Sequence, residues 1–302
     1  MSNPADVIAK HRMEYLGKLY SREQQIERLP GMQEIKGKKK QFLKQFFFNA
    51  MHGVYEPILD EQLKEIEKQE AALLGSLQAY SGCAQCGGTG ILNGAYCSCL
   101  RDRIYREAYR AADIRDLAES FENSDKSLFS ETFRCVNGAT QREKYAALEN
   151  YAKGYAENYP STKKPNLFLT GNTGLGKTYV LRSIAKLVHQ KGGDVLLIGA
   201  SNLFSIFYQH RMGEEFDLKV LWDCGLLLID DLGIEPITHN VTVEYFLDLL
   251  NRRIDNGKHT VIASNLSTDN IVARYGERVY SRIRFKEICD QLVFEGQDIR
   301  LK

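Results

Sequence analysis

The 302-residue sequence contains only 6 prolines, a single tryptophan and no long apolar run. Its 43% apolar and 26% charged residues are close to the averages of globular domains, which excludes wholesale disorder and collagen-like structure. No stretch approaches 18 uncharged apolar residues, and the N-terminus lacks the basic-then-apolar layout of a secretory signal. We therefore expect a cytoplasmic protein with no membrane segment.

Net charge is also nearly absent, because 40 Lys and Arg balance 39 Asp and Glu and leave +1. Any affinity for nucleic acid must then come from a local patch. One basic, aromatic segment lies between residues 36 and 48 and contains five lysines and four phenylalanines. It could bind an acidic partner or phosphates. The favoured interpretation is a helix with a solvated lysine face and its aromatic side chains packed inward.

The length predicts two domains, because a domain typically has about 100 to 200 residues. The first part of the chain has amphipathic helical patterns, clearest from residue 57 to 80, and helical segments alternate with short apolar runs from Phe129 onward. This alternation implies a parallel sheet covered on both faces. We predict strands over 166–170, 194–199, 225–230, 260–264 and 291–294, helices over 177–190 and 241–255, a helical N-terminal domain over 1–120, a linker over 121–130 and an α/β domain over 131–302.

Residues 171–178 fit the phosphate-loop pattern G-x-x-x-x-G-K-[ST], directly after an apolar strand and at the start of a helix. The glycines let backbone N–H groups close on phosphates, and the helix N-terminus adds partial positive charge. We predict that Lys177 reaches the β and γ phosphates of ATP and that Thr178 binds Mg²⁺. The predicted ATP-binding residues are Gly171, Asn172, Thr173, Gly174, Leu175, Gly176, Lys177 and Thr178.

Two carboxylates follow the wholly apolar run that begins at Gly225. Ligands bind at this carboxyl-terminal edge in parallel sheets, so we predict that Asp230 binds Mg²⁺ and that Asp231 polarises the attacking water. Asn265 ends the next predicted strand and could orient that water or sense the γ-phosphate. Hydrolysis gains from a guanidinium that neutralises transition-state charge, but spacing does not say which downstream arginine supplies it. The candidates are Arg274, Arg278, Arg282 and Arg284.

The second domain resembles the AAA+ ATPases of the helicase-loader type, DnaC and DnaI, and the related transposition ATPase IstB. The segments that carry the resemblance are the phosphate loop at 171–178, Leu-Ile-Asp-Asp-Leu-Gly at 228–233, Ala-Ser-Asn-Leu-Ser at 263–267 and Tyr-Gly-Glu-Arg-Val-Tyr-Ser-Arg-Ile at 275–283. The resemblance implies a five-stranded AAA+ sheet, and only about eight residues follow the fifth predicted strand, too few for a C-terminal helical lid. It also implies that Asn265 is the sensor 1 residue, that Arg278 is the arginine finger acting on a neighbouring subunit's ATP, and that Arg300 is the sensor 2 arginine.

Four of the seven cysteines form C-x₂-C and C-x-C pairs on either side of ten residues that include four glycines. This pattern is typical of a tetrahedral structural Zn²⁺ site, and a reducible disulfide pair or inert thiols are the alternatives. The tight C-x-C pair leaves open whether both of its members bind the metal. The predicted ligands are Cys83, Cys86, Cys97 and Cys99.

The cysteine segment separates the related families. Loaders of the DnaI type are similar in having a zinc-bearing N-terminal domain that binds the replicative helicase, whereas IstB-type proteins resemble only the ATPase part. The leading prediction is therefore an ATP-dependent loader that binds the hexameric replicative DNA helicase and single-stranded DNA and assembles with copies of itself. The alternative is an IstB-like ATPase that acts with a transposase on DNA. A third interpretation is a zinc-stabilised adaptor whose nucleotide site is a clamp with negligible turnover.

Overall fold

The computed structural model of the protein describes residues 3–52, 57–74, 83–214, 218–238 and 241–301. Its chain forms two compact units, one of residues 8–100 and one of residues 101–302 together with the first seven residues. Among the described residues, no helix is both long enough and apolar enough to cross a membrane.

The unit of residues 8–100 consists of amphipathic helices and a small hairpin. The elements that contribute to it are α1 (Pro4–Glu27), α2 (Met32–Met51), α3 (Pro57–Leu74), β1 (Ile91–Leu92), β2 (Ala95–Tyr96) and the first turn of α4 (Ser98–Tyr109). α2 packs against α3, and β1 pairs with β2 in an antiparallel hairpin between the two cysteine pairs. The predicted helix from residue 57 is confirmed as far as Leu74, while 75–80 lie outside the described residues.

The aromatic side chains of α2 do not all pack inward, so the favoured interpretation of the lysine-rich segment is wrong. Phe42 is buried, but Phe46, Phe47 and Phe48 are exposed. Consecutive residues of an α-helix point about 100° apart, because 3.6 residues complete a turn. Three phenylalanines in a row therefore cannot face the same core. The helix buries one stripe and leaves the other aromatics beside the lysines.

The second unit alternates helices and strands as predicted. Thr140 and Glu143 form a capping box that satisfies backbone N–H groups at the start of its first long helix. The elements are α5 (Gln141–Asn158), β3 (Asn166–Thr170), α6 (Lys177–Gln190), β4 (Val195–Gly199), α7 (Ala200–Arg211), α8 (Lys219–Asp223), β5 (Leu226–Leu232), α9 (Thr242–Asp255), β6 (His259–Ser264), α10 (Thr268–Ile283) and β7 (Cys289–Val293). All five predicted strands are confirmed, with β7 beginning two residues earlier than expected.

The five strands form one parallel sheet in the order β4-β5-β6-β3-β7. The apolar residues at the start of β5 are fully buried, as expected for a central strand covered on both faces. β3 lies between β6 and β7, so the loop after β3 shares the carboxyl-terminal edge with the ends of β5 and β6. The described residues after β7 form a short 3-10 turn at Ile299–Leu301 and no helical lid.

Residues 101–130 pack within the second unit rather than between two domains. The N–H of Ala112 donates to the carbonyl of Leu197 in β4, and Ile114, Phe121 and Phe129 belong to the hydrophobic core. The predicted linker at 121–130 thus contributes core aromatics. Its polar composition gave no sign of this, because two buried phenylalanines are enough to anchor a short segment. The domain bounds 1–120 and 131–302 stay predictions.

Candidate nucleotide site and cysteine cluster

The phosphate loop joins β3 to α6 and requires glycine at two positions. Gly174 and Gly176 have φ of +70° and +88°, a region that L-residues with a Cβ rarely adopt. A Cβ on Gly176 would also lie 2.7 Å from the ring of Tyr145, which stacks on Phe129 behind the loop. Because these glycines have no Cβ, the loop can adopt a conformation in which its backbone N–H groups face a phosphate.

Lys177 begins α6 and is 5% exposed. Its Nζ donates to the carbonyls of Gly171 and Asn172, at 2.7 and 2.5 Å, so the amine is held inside the loop. Burial lowers the pKa of Lys177 to about 8, although Asp231 and Asp230 act in the opposite direction. A bound phosphate would raise that pKa, because a nearby negative charge favours the protonated amine.

We expect the affinity for ATP to fall as the pH rises through about 8. Because ATP binding would raise the pKa of Lys177, the complex takes up a proton on binding at a pH above about 8. Binding therefore becomes weaker as the pH rises further. The limiting slope is about tenfold per pH unit for one proton. Titration calorimetry in buffers of different ionisation enthalpy measures the uptake directly, and ATP's own phosphates, with a last pKa of about 6, are ionised throughout. An affinity that is constant from about pH 7 to pH 10 would contradict this expectation.

The two carboxylates near the carboxyl end of β5 occupy different environments. Asp230 accepts a hydrogen bond from the Thr178 hydroxyl at 3.0 Å, and burial and the negative charge of Asp231 raise its pKa. Asp231 has φ of +54°, where the pairing of β5 with β6 is interrupted by an irregularity. Non-glycine residues in this left-handed region are uncommon, and Asp and Asn tolerate it best. The turn separates the two carboxylates, so that Asp230 faces Thr178 and Asp231 faces the cavity.

A cavity of about 320 Å³ lies over the phosphate loop. Asn265 donates to Asp231 at 3.3 Å, from its Nδ2 to the carboxylate Oδ1, so the predicted sensor 1 residue and the carboxylate predicted to polarise water are neighbours. Arg300 reaches the same cavity from the segment after β7. The cavity is lined by Thr173, Gly174, Leu175, Gly176, Lys177, Thr178, Asp231, Asn265, Ile299 and Arg300. Its residues suit a nucleoside triphosphate with Mg²⁺, because they combine phosphate-binding N–H groups with carboxylate and hydroxyl oxygens.

Three side chains that hold this site together were missed by sequence reasoning. Tyr145 supports the loop, as described above. Gln141 is almost fully buried and its amide exchanges two hydrogen bonds with the backbone of Gln297, at 2.9 and 3.2 Å. Asp298 accepts two hydrogen bonds from the guanidinium of Arg300 and one from its backbone N–H, and together they hold the pKa of Asp298 at about 2. Its position two residues before Arg300 was the only available signal.

Arg278 does not line the cavity of its own subunit. It is exposed on α10, two residues after Gly276, whose φ of 81° and ψ of 163° kink the helix. Neighbouring arginines are engaged elsewhere, since Arg274 pairs with buried Glu235 and Arg282 donates to Asn251. Within the described part of the chain, the guanidinium of Arg278 has neither a hydrogen bond nor an ion pair. The structure thus leaves it accessible.

The four predicted zinc ligands come together, with all their Sγ atoms within 4.8 Å of one another. The Sγ of Cys83 lies 3.8 Å from that of Cys97, and the Sγ of Cys86 lies 3.5 Å from that of Cys99. Four sulfurs at about 2.3 Å from one Zn²⁺ in a tetrahedron are about 3.8 Å apart, so the cluster fits the ion. Both members of the C-x-C pair take part.

The thiols of the cluster differ in protonation, because burial and hydrogen bonds to the other cysteines raise the pKa of Cys99. The N–H of Gly90 donates to the Sγ of Cys86 at 3.3 Å. Burial acts in the opposite direction, but this and other hydrogen bonds lower the pKa of Cys86 to about 6. A thiolate is the form that binds zinc. The four thiolates would fill the coordination sphere, so the ion would have a structural role.

Removal of zinc is expected to release four reactive thiols per chain and to unfold the segment around the hairpin. Binding of structural zinc by short peptides contributes about 10 kcal/mol or more, which the folded segment would lose. Elemental analysis should find one Zn²⁺ per chain, and Cys83→Ser with Cys97→Ser should abolish it. Cys135→Ser, outside the cluster, is the matched control and should retain the metal. The site would be contradicted if the wild-type chain were purified without zinc and its thiols reacted equally before and after treatment with a chelator.

The sheet order and the site define a P-loop ATPase domain of the AAA+ class. Residues 125–290, more than half of the chain, match the family described as the bacterial DnaA ATPase domain. The chain belongs to this family.

Relatives share only part of their length with this chain. It is 32% identical over 119 residues to the chromosomal replication initiator protein DnaA of Streptococcus equi subsp. zooepidemicus strain MGCS10565, and equally so to that of Streptococcus pyogenes serotype M1. Each match covers 38% of this chain, and the chain spans only about a quarter, 26%, of those relatives.

Solved structures of similar fold include a DnaI, the DnaC helicase loader and AMPPCP-bound DnaA from Aquifex aeolicus. The DnaI structure is 22% identical, with a TM-score of 0.45, 65% of this chain covered and 93% of that one. The DnaC structure is 22% identical, with a TM-score of 0.44 and coverage of 58% and 98%. The DnaA structure is 19% identical, with a TM-score of 0.44 and coverage of 61% and 52%.

Proposed function

We propose that the chain is an ATP-dependent loader of the replicative DNA helicase. The observation that carries the proposal is the cysteine cluster in a chain that also has an ATPase domain. The sequence resemblance associates a zinc-binding segment of this kind with loaders. Membership in the DnaA ATPase-domain family supports a role in replication. The IstB-like alternative resembles the ATPase part only and leaves the cluster unexplained.

The site residues support a mechanism of ATP hydrolysis. Lys177 holds the β and γ phosphates against the loop, and Asp231 accepts a proton from the attacking water in a position fixed by Asn265. Asp230 and Thr178 would hold Mg²⁺, which supplies positive charge to the phosphates when bound. Arg300 can reach the same nucleotide once its guanidinium exchanges Asp298 for a phosphate.

Self-association completes the proposed site. A guanidinium that neutralises charge in the transition state is a large contribution to hydrolysis, and Arg278 cannot supply it within its own subunit. We place it at the ATP of a neighbouring copy, in a head-to-tail arrangement. Single-stranded DNA would bind the assembled ATPase units. The segment after β5 that we considered for this contact, 236–240, lies partly outside the described residues.

Native mass spectrometry of the full chain with the replicative helicase of the source organism tests the proposal. We expect a complex that contains the helicase hexamer and one Zn²⁺ per bound chain. Lys177→Ala should retain this complex, because the helicase contact is assigned to the N-terminal unit. The double variant Cys83→Ser with Cys97→Ser should lose it. A folded, zinc-loaded chain that forms no complex would overturn the loader function and favour action with a transposase.

A further inference from the structure

Helix α2 presents a basic and apolar surface that faces away from its packed side. We define the Lys–Phe face as Lys36, Lys40, Leu43, Lys44, Phe47 and Met51, which together with Lys39 and Phe48 line a shallow groove of about 700 Å³. Phe47 is 64% and Met51 82% exposed. Soluble proteins seldom expose contiguous apolar side chains of this size without a binding function.

The spacing of these residues makes two parallel stripes. Lysines recur at 36, 40 and 44, and apolar side chains recur at 43, 47 and 51, each four residues apart. Residues four apart lie on the same helix face, one turn above the other. The buried stripe, which includes Ile35 and Phe42, points to the opposite side of the helix. The Lys–Phe face therefore contributes nothing to the packing of α2 against α3.

Two charges on this face are uncompensated. Lys36 lies 3.7 Å from Glu27, and Lys39, beside the face, is paired with Glu70. Lys40 and Lys44, by contrast, make no ion pair with any residue that the structure describes. An apolar stripe bordered by free lysines is complementary to an apolar stripe bordered by carboxylates, as in the pairing of amphipathic helices.

We propose that the Lys–Phe face binds an acidic amphipathic helix of a partner protein. A nucleic acid fits less well, because bases stack on aromatic rings and two of the four apolar residues that line the groove, Leu43 and Met51, have no ring. The identity of the partner rests on the proposed function, under which the acidic helix belongs to the replicative helicase. The chemistry of the contact does not depend on that identity.

A designed peptide tests the chemistry with the full chain. The probe is a fluorescein-labelled helical peptide with leucines four residues apart and glutamates on both borders. We expect it to bind, to bind more weakly as salt is added, and to lose about tenfold or more in affinity with Phe47→Ala. Lys40→Glu with Lys44→Glu should cause a similar loss. Met13→Ala and Lys18→Glu, which are exposed on α1, are the matched controls and should bind as wild type does.

Each other outcome overturns the inference. A twin peptide with lysine borders that binds equally well would show that charge has no part. Loss of oligothymidylate binding in the face variants, with no binding of the acidic peptide, would assign the face to nucleic acid. A dimer of the chain alone that dissociates in Phe47→Ala would assign it to a second copy. Circular dichroism of each variant verifies that α2 remains folded.

Binding to the helicase separates this inference from the proposed function. If the helicase binds wild type and Phe47→Ala equally, the Lys–Phe face is wrong as its docking surface and the loader function stands. If the acidic peptide binds the face but the helicase binds no form of the chain, the loader function fails and the face remains a docking surface for another acidic helix.

Discussion

Asp231→Asn is expected to slow ATP hydrolysis about 10³-fold while ATP still binds. The substitution removes the charge that attracts the water proton but keeps the size of the side chain. It also keeps the backbone, because Asn tolerates the left-handed conformation observed at this position as well as Asp does. The amide oxygen can still accept from Asn265. Rates measured at saturating ATP, with binding followed by a fluorescent analogue, test this expectation.

Two comparisons give that result its meaning. Lys177→Ala should abolish binding and hydrolysis together, because it removes the only amine held within the loop carbonyls. Asp248→Asn on the exposed side of α9 is the matched control and should hydrolyse ATP at the wild-type rate. Asp231→Asn with nearly full activity would show that another group activates the water. Loss of ATP binding in that variant would give Asp231 a structural role instead.

The carboxyl-terminal edge of the sheet could be predicted because a parallel strand has a strong sequence signature. An apolar run buried on both faces must end where polar side chains begin, so Asp230 marked the end of the apolar part of β5 and Asn265 the end of β6. Adjacent strands then bring those ends together. The cysteine cluster could be predicted equally well, because four thiols within a short hairpin have few other reasons to occur together.

Features that depend on tertiary contacts could not be predicted in this way. The irregularity at Asp231 and the kink at Gly276 are single backbone conformations that composition does not encode. Gln141 is an ordinary helix residue until the segment after β7 folds against it. The aromatics of α2 were misplaced because periodicity shows that a helix has an apolar side, but not how much of that side another element covers.

Mixing two inactive variants is expected to restore hydrolysis if the site is shared between subunits. Arg278→Ala should reduce the rate about 10³-fold or more, as loss of an arginine finger does. In a mixture with Lys177→Ala, about a quarter of the head-to-tail interfaces combine an intact loop from one chain with an intact arginine from the other. We expect activity to recover to a comparable fraction of the wild-type rate. Each variant alone, at the same total concentration, gives the baseline.

The position of Arg278 makes this test specific. Its neighbour Arg282 lies one turn further along α10 and donates to Asn251 of the same chain, so Arg282→Ala mixed with Lys177→Ala is the matched control. A missing contact inside one subunit cannot be supplied by the other, so any activity lost with Arg282 should not return on mixing. Mixed complexes that native mass spectrometry shows to be assembled, but that remain inactive with Arg278→Ala, would exclude action in trans. Recovery in the mixture that contains Arg278→Ala, but not in the mixture that contains Arg282→Ala, would place the Arg278 guanidinium at the neighbour's ATP.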